Sequence, residues 1–221
     1  MRIARNPSYT TGGYTSVDPF SQGKIRFSKT EVLHITAAIA VLSLAFSFIM
    51  IRRISGVDIV VIVLLSVILV VCSFLFHEFG HKFVAQKYNA WSEFRAFPYG
   101  LIIALMMAAV AGILFAAPGA VFIQGEIDKE RYGKISLAGP AVNFVIAAIA
   151  ILAFLAYGTM DIIGLGLFML AQLNAFLGLF NMIPVLPFDG AKILAWDIKV
   201  YIITAVIGAA ELAVVLLYLV P

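Results

Sequence analysis

The sequence predicts an all-α polytopic membrane protein with about five to six transmembrane helices and one re-entrant segment. Of the 221 residues, 63% are hydrophobic and the mean hydropathy is +1.06, whereas soluble domains are about half apolar. The apolar residues also form runs of about 20, the length of helix that crosses a bilayer. Backbone groups in lipid have no water to bond with, so these runs are expected to be helical.

Six apolar runs are candidate spans, in the order Val32–Ile51, Val57–Ala85, Tyr99–Ala117, Ile135–Tyr157, Ile162–Ile183 and Val200–Val220. Helix-breaking residues lie in the gaps: Gly56 and Pro98 precede the second and third runs, and Gly158 follows the fourth. Residues 1–30 are polar and rich in turn formers, which indicates an N-terminal tail. Residues 31–221 are expected to form a single membrane domain.

The third run decides the predicted topology. If it crosses, Lys and Arg are shared 8 to 7 between the two sides; if it enters and returns, the side of the N-terminus holds 13 and the other side only Arg52 and Arg53. The positive-inside rule favours the second arrangement and makes the N-terminal side cytoplasmic. We therefore expect five crossings and a re-entrant segment from Pro98 to about Gly125, with six plain helices as the alternative.

Charge and cysteine content exclude some classes of protein. The formal net charge is only +3, so a nucleic-acid partner is not expected. Cys72 is the one cysteine of the chain, and no internal disulfide can form.

A polar group interrupts the second apolar run, in the stretch FLFHEFGHKFV from Phe74 to Val84. A charge at mid-bilayer costs about 2.5–3.5 kcal/mol on insertion scales. His77 and His81 lie at i and i+4, on one face of a helix, with Glu78 beside them. This H-E-x-x-H pattern is typical of zinc hydrolases, in which two imidazoles bind the metal and the glutamate handles the protons of a water. A bound dication would offset the cost of burial.

A catalytic zinc usually takes a third protein ligand. The candidates are the third histidine, His34, and the acidic residues Asp189 and Glu211 at membrane depth, with Asp161 at a loop. Asp189 follows two helix-breaking prolines, Pro184 and Pro187, which can turn its carboxylate inward. In the re-entrant topology, the helix ends that carry His81 and Asp189 lie on the same side of the membrane.

The combined motifs resemble the site-2 protease family of intramembrane zinc metalloproteases. The matching stretches are HEFGH (77–81), LAGPAVN (137–143) and NMIPVLPFDG (181–190), while LHIT (33–36) is similar to the start of the family's first helix. The resemblance extends over most of the region from 31 to about 194. The chain departs from the family in an additional apolar block, LIIALMMAAVAGILFAA (101–117), which leaves open whether the re-entrant region is a helical hairpin or a strand.

The resemblance implies a residue-level site. His77, His81 and Asp189 would hold one Zn²⁺ per chain, and Glu78 would act as general base and acid. Asn143 and Asn181 would steady the substrate backbone or the oxyanion. A re-entrant strand would pair with an unwound substrate, and its best match is Gly119, Ala120, Val121, Phe122 and Ile123.

The implied activity is hydrolysis of a peptide bond within or near a transmembrane helix of a membrane-protein substrate. The implied location is the plasma membrane of a prokaryote, with the N-terminus and the active-site end in the cytoplasm. Two alternatives remain open: a membrane zinc transporter, and a membrane zinc protease of another family in which Glu211 is the third ligand.

Overall fold

The fold is described from a computed structural model, which describes residues 25–113 and 118–219. Helix α1 (Lys29–Arg53) begins after Ser28, whose side chain accepts a hydrogen bond from the backbone N–H of Glu31. The following helices are α2 (Ile59–Val70), α3 (Phe76–Lys87), α4 (Pro98–Ala111), α5 (Lys129–Tyr157), α6 (Ile162–Asn181), α7 (Asp189–Trp196) and α8 (Ile198–Val214). Strands β1 (Trp91–Ala96) and β2 (Gly119–Gln124) lie between α3 and α5.

Two π turns extend these helices. Val71–Leu75 joins α2 to α3, so that Ile59–Lys87 is one continuous helix, and Val215–Leu219 continues α8. Single π turns inside α-helices are frequent at functional sites. The first π turn directly precedes the H-E-x-x-H residues.

Within the described residues, five helices are long and apolar enough to cross a membrane: Lys29–Arg53, Ile59–Lys87, Lys129–Tyr157, Ile162–Asn181 and Ile198–Leu219. The predicted all-α polytopic membrane fold is therefore confirmed. The described part of the third apolar run forms the 14-residue helix α4, which is too short to cross. Of the predicted polar tail, residues 1–24 lie outside the described residues.

The two strands form an antiparallel sheet, in which Trp91 pairs with Gln124 and Ala96 with Gly119. Phe97 continues the pairing, because its N–H donates to the carbonyl of Pro118 at 2.9 Å. The segment that carries α4 therefore leaves the sheet after β1 and returns beside it at the start of β2. This is the re-entrant arrangement, and it contains both a helix and a strand.

The site lies where α3 packs against α5, with α7 also packed against α5 and the sheet beside α3. Phe94 of β1 packs into an apolar cluster with Ile35 and Leu42 of α1 and Leu75 of the π turn. The sheet is thereby attached to α1 and to the long second span. This packing places strand β2 next to the polar residues of α3.

Candidate metal centre

Two histidines and one aspartate from distant parts of the chain converge at one buried point. His77 and His81 lie one turn apart on α3, and Asp189 is the first residue of α7. The Nε2 atom of His81 is 3.0 Å from Nε2 of His77 and 3.0 Å from Oδ2 of Asp189. The distance from His77 Nε2 to Asp189 Oδ2 is 3.5 Å. The three buried side chains thus form a compact group of potential metal ligands.

The second nitrogen of each imidazole is held by a hydrogen bond to another helix. Nδ1 of His81 lies 2.8 Å from the backbone carbonyl oxygen of Ile135, and Nδ1 of His77 contacts the amide oxygen of Asn143. Both of these oxygens can only accept, so each Nδ1 carries the proton and donates it. Each Nε2 therefore directs a lone pair towards Asp189.

These donors fit a bound zinc ion. Two imidazole lone pairs and a carboxylate oxygen face one another with no proton between them, an arrangement that is repulsive unless a cation lies among them. Zinc bonds of about 2.0–2.1 Å in a tetrahedron hold neighbouring ligand atoms about 3.3 Å apart. The ligand spacings of 3.0–3.5 Å agree with this value. Three protein ligands with one free position are typical of catalytic zinc.

Asp189 presents one carboxylate oxygen to the histidines and the other to Lys192. The Nζ of Lys192 donates to Oδ1 at 3.1 Å. The ammonium of Lys192 favours the anionic form of the Asp189 carboxylate. Among the residues that the structure describes, the group of potential ligands contains Asp189 and not Glu211.

Close approach of α3 and α5 depends on two glycines. A Cβ at Gly139 would collide with both imidazole rings, and a Cβ at Gly80 would lie 2.7 Å from the backbone oxygen of Ala138. Ile135, Gly139 and Asn143 recur every four residues and so lie on one face of α5. On that face, the carbonyl of Ile135 and the amide of Asn143 bond with the two histidines, and Gly139 leaves space for their rings.

Glu78 faces strand β2. Its side chain is buried, and Oε2 accepts a hydrogen bond from the N–H of Val121 at 3.0 Å. Val121 pairs with Phe94, whose own N–H donates in the opposite direction, to Glu31. In an antiparallel ladder the N–H groups of such a pair point outward, away from each other. The outer edge of β2 therefore lies at the Glu78 carboxylate.

Asn143 belongs to a buried amide network. Its Nδ2 donates to the backbone oxygen of Ser73 at 3.0 Å and to Oδ1 of Asn174 at 2.8 Å. Asn174 in turn donates to Oγ of Ser73 at 2.8 Å. Because Asn143 is fully buried and both its amide hydrogens are engaged, the structure assigns it contacts that orient His77.

Two other polar residues, Asn181 and His34, do not belong to the group of potential metal ligands. Asn181 donates to the carbonyl of Leu177 in its own helix, at 2.9 Å, and its substrate role stays a prediction. Nδ1 of His34 accepts a hydrogen bond from the N–H of Ala96 at 3.2 Å, so His34 contacts strand β1. Sequence reasoning missed Ser73 and Asn174, whose only signal is that they are polar residues within apolar helices.

The fold and the site together define an integral membrane metalloprotein with a zinc-type donor set inside a membrane-spanning helix. A protein of Methanocaldococcus jannaschii named "Putative zinc metalloprotease MJ0611" is 38% identical over 174 residues, which cover 78% of this chain and 87% of that relative. This chain belongs to the same zinc metalloprotease family. It is therefore a membrane zinc protease, with zinc as its cofactor.

A second relative from the same organism, named "Zinc metalloprotease MJ0392", is 35% identical over 128 residues. That match covers 58% of this chain and 32% of the relative, so it concerns only part of the longer protein. No family model matches this chain. No solved structure matches it either.

Proposed function

We propose that this protein is an intramembrane protease of the site-2 protease type, which hydrolyses a peptide bond within or near a transmembrane helix of a membrane-protein substrate. One observation carries the proposal: the two histidines and Glu78 lie in Ile59–Lys87, a helix long and apolar enough to cross a membrane. A protease with its chemical groups at this position meets substrates that are themselves in the bilayer. The substrate class implied is a transmembrane protein or peptide.

His77, His81 and Asp189 would hold the zinc. When bound, zinc lowers the pKa of a water molecule and polarises a carbonyl. Glu78 would accept a proton as general base and return it to the leaving amine as general acid. Asn143 would keep His77 in the tautomer that presents Nε2, and Asn181 would steady the substrate or the oxyanion.

Strand β2 would bind the substrate as an additional strand. A peptide bond within a helix is shielded by helical hydrogen bonds, so the substrate would unwind before cleavage. The outward edge of β2 is not paired with another strand in the sheet, and the N–H of Val121 on this edge bonds with Glu78. Addition of a strand to such an edge is a common mode of peptide recognition. Pairing with Gly119–Ile123 would lay the scissile bond beside Glu78, since Val121 already contacts that carboxylate.

The orientation proposed from the charges places the sheet, the metal ligands and the N-terminus on the cytoplasmic side of a prokaryotic plasma membrane. Lys82 is buried against Glu31 and so is not a free cation. Without it, the bias of Lys and Arg is still twelve to two in favour of that side.

The test compares the wild type with Glu78→Gln in detergent. We would measure zinc per chain and cleavage of a transmembrane peptide whose helix is destabilised near the cleavage region. Glu78 is not among the three ligands, so both proteins are expected to hold about one zinc. Cleavage is expected to fall by at least roughly 100-fold in the variant, because proton transfer is lost.

Glu130→Gln is the matched control, since Glu130 is an exposed glutamate on α5 that pairs with Lys134; it should cleave like the wild type. A zinc transporter would behave differently, because it would move zinc across vesicle membranes with Gln at position 78 and would not cleave the peptide. Loss of zinc in Glu78→Gln would instead show that Glu78 is a ligand.

A further inference from the structure

A second buried polar group lies at the outer edge of β1, opposite the edge of β2 that contacts Glu78. Glu31 of α1 and Lys82 of α3 are both 0% exposed. The Nζ of Lys82 is 2.9 and 3.0 Å from the two carboxylate oxygens of Glu31. It also donates to the backbone oxygen of Ser92 in β1, at 2.8 Å. The ion pair therefore joins α1, α3 and β1 at one point.

Glu31 also makes a backbone contact with β1. Its Oε1 accepts from the N–H of Phe94 at 2.9 Å. One turn further along α1, Nδ1 of His34 accepts from the N–H of Ala96. Phe94 and Ala96 are two residues apart, so their N–H groups point to the same edge of the strand. Side chains of α1 thus occupy the outer edge of β1.

The two edges of the sheet consequently differ in which protein side chains bond with them. The edge of β1 is covered by Glu31 and His34, and a substrate strand has no free N–H to meet at Phe94 or Ala96. On the edge of β2, the N–H of Val121 donates a hydrogen bond to Glu78. A strand edge with unpaired groups is a template for another strand, and only the edge of β2 lies beside the metal ligands.

We propose that Glu31, held by Lys82, is a positioning residue for proteolysis: it closes the edge of β1 and fixes the sheet against α3, so that a substrate strand pairs with β2 beside Glu78. The inference rests on the proposed function, because it assumes a substrate that binds as a strand. Lys82 follows His81 directly, so the helical turn that supplies a metal ligand also anchors the sheet. The register between the bound substrate and the metal would be set through this connection.

The test uses two double variants without a buried charge. Glu31→Gln/Lys82→Met keeps an acceptor for the Phe94 N–H, whereas Glu31→Leu/Lys82→Met removes it. Neither variant leaves an uncompensated buried ion, and apolar or neutral replacement of a whole buried pair is generally tolerated. The two proteins therefore differ only in the side chain that can bond with β1.

Three quantities would be measured for each: zinc per chain, kcat and KM for the transmembrane peptide, and hydrogen exchange of segments 91–96 and 119–124. We expect about one zinc in both variants. With Leu at position 31, exchange in both strands should accelerate and KM should rise about five- to tenfold, because one buried N–H of the sheet is unpaired. With Gln, exchange and KM should change clearly less than with Leu, because the acceptor for the Phe94 N–H remains and the bond from Lys82 to Ser92 is lost equally in both variants.

The exposed ion pair of Glu130 and Lys134 supplies the control, as Glu130→Gln/Lys134→Met makes the same chemical change on the surface of α5. Equal KM and equal exchange in the Gln and Leu variants would overturn the inference. So would loss of zinc in both, since the pair would then maintain the whole fold rather than the sheet. If the wild type cleaves no transmembrane peptide but exchange still separates the two variants, the proposed function fails and the positioning of the sheet stands.

Discussion

His77 and His81 both donate from Nδ1, and the acceptors on α5 determine which nitrogen remains for a metal. The acceptor for His81 is a backbone carbonyl, which no substitution removes directly. The acceptor for His77 is the side chain of Asn143. Such partners of metal-binding histidines fix the tautomer and the orientation of the ring. Asn143 is therefore the position at which the orientation of a ligand can be tested.

Asn143→Ala is expected to weaken zinc binding by roughly 10- to 100-fold, the usual cost of losing a partner of a metal-binding histidine. Zinc affinity would be measured by competition with a chromogenic chelator. Asn181→Ala is the matched control, because the Asn181 amide bonds only within its own helix, to Leu177. Unchanged affinity in Asn143→Ala would mean that other contacts hold His77 in place.

The sequence predicts individual residues well where a motif has local spacing. His77, Glu78 and His81 follow from one helical turn, whereas Asp189 is one of several candidates until the family resemblance implies it as the third ligand. The structure brings the two histidines and Asp189 to one point, as expected, and the roles of these residues in binding and catalysis stay predictions. The amide network of Ser73 and Asn174 could not be predicted, because residues 101 positions apart meet only through packing.

Among the elements, the two strands of the sheet differ in how well the sequence predicts them. The family resemblance implies a strand and Gly119–Ile123 matches it best, because β-branched and aromatic residues suit a strand. The structure forms β2 at Gly119–Gln124. β1, with the sequence WSEFRA, carries charged residues and has no alternation of apolar and polar residues. Backbone groups on its outer edge bond with side chains of α1 and α3, so tertiary contacts rather than local preference specify this strand.

The contact between α3 and α5 makes a prediction about packing. Gly80→Ala would put a methyl group 2.7 Å from the carbonyl oxygen of Ala138, and this backbone atom cannot move cheaply. We expect a loss of about 1–3 kcal/mol in the free energy of unfolding. Zinc binding should weaken as well, because separation of the two helices removes the partners of the imidazoles.

Gly166→Ala on α6 is the matched control for this prediction. Its new methyl group would meet only the end of the flexible Leu65 side chain, at 3.2 Å. Alanine also favours the helix by about 1 kcal/mol over glycine. Thermal unfolding in detergent, with and without added zinc, would compare the two variants. Equal stability of Gly80→Ala and Gly166→Ala would show that α3 and α5 can separate without cost.

For the whole molecule, the number of crossings depended on one ambiguous segment. Residues 99–117 are apolar enough to suggest a span. The distribution of Lys and Arg favours a return to the same side, and this topology also puts the helix ends that carry His81 and Asp189 on one side. The structure reaches the same result through geometry, because Ala96 and Gly119 on either side of α4 are paired in the sheet. Apolar composition alone does not distinguish a short re-entrant helix from a span.

This topology predicts which loops share a face of the membrane. In a Cys72→Ala background, single cysteines would replace Ser55, Lys87, Glu126 and Thr159, all of which are exposed. Labelling with a membrane-impermeant maleimide would be compared in intact cells and inverted vesicles. Because an even number of crossings separates them in the five-span fold, the sites at 55 and 159 should label on one face. The sites at 87 and 126 should label together on the opposite face.

The pair at 87 and 126 decides between the topologies. With six plain helices, a crossing would separate them and they would label on opposite faces. With a re-entrant segment they label together, and the excess of Lys and Arg makes that face cytoplasmic, so labelling is expected in inverted vesicles. Labelling of both sites in intact cells would keep the five spans but reverse the orientation. The metal ligands would then open to the outside, and a substrate would meet Glu78 from the external side of the bilayer.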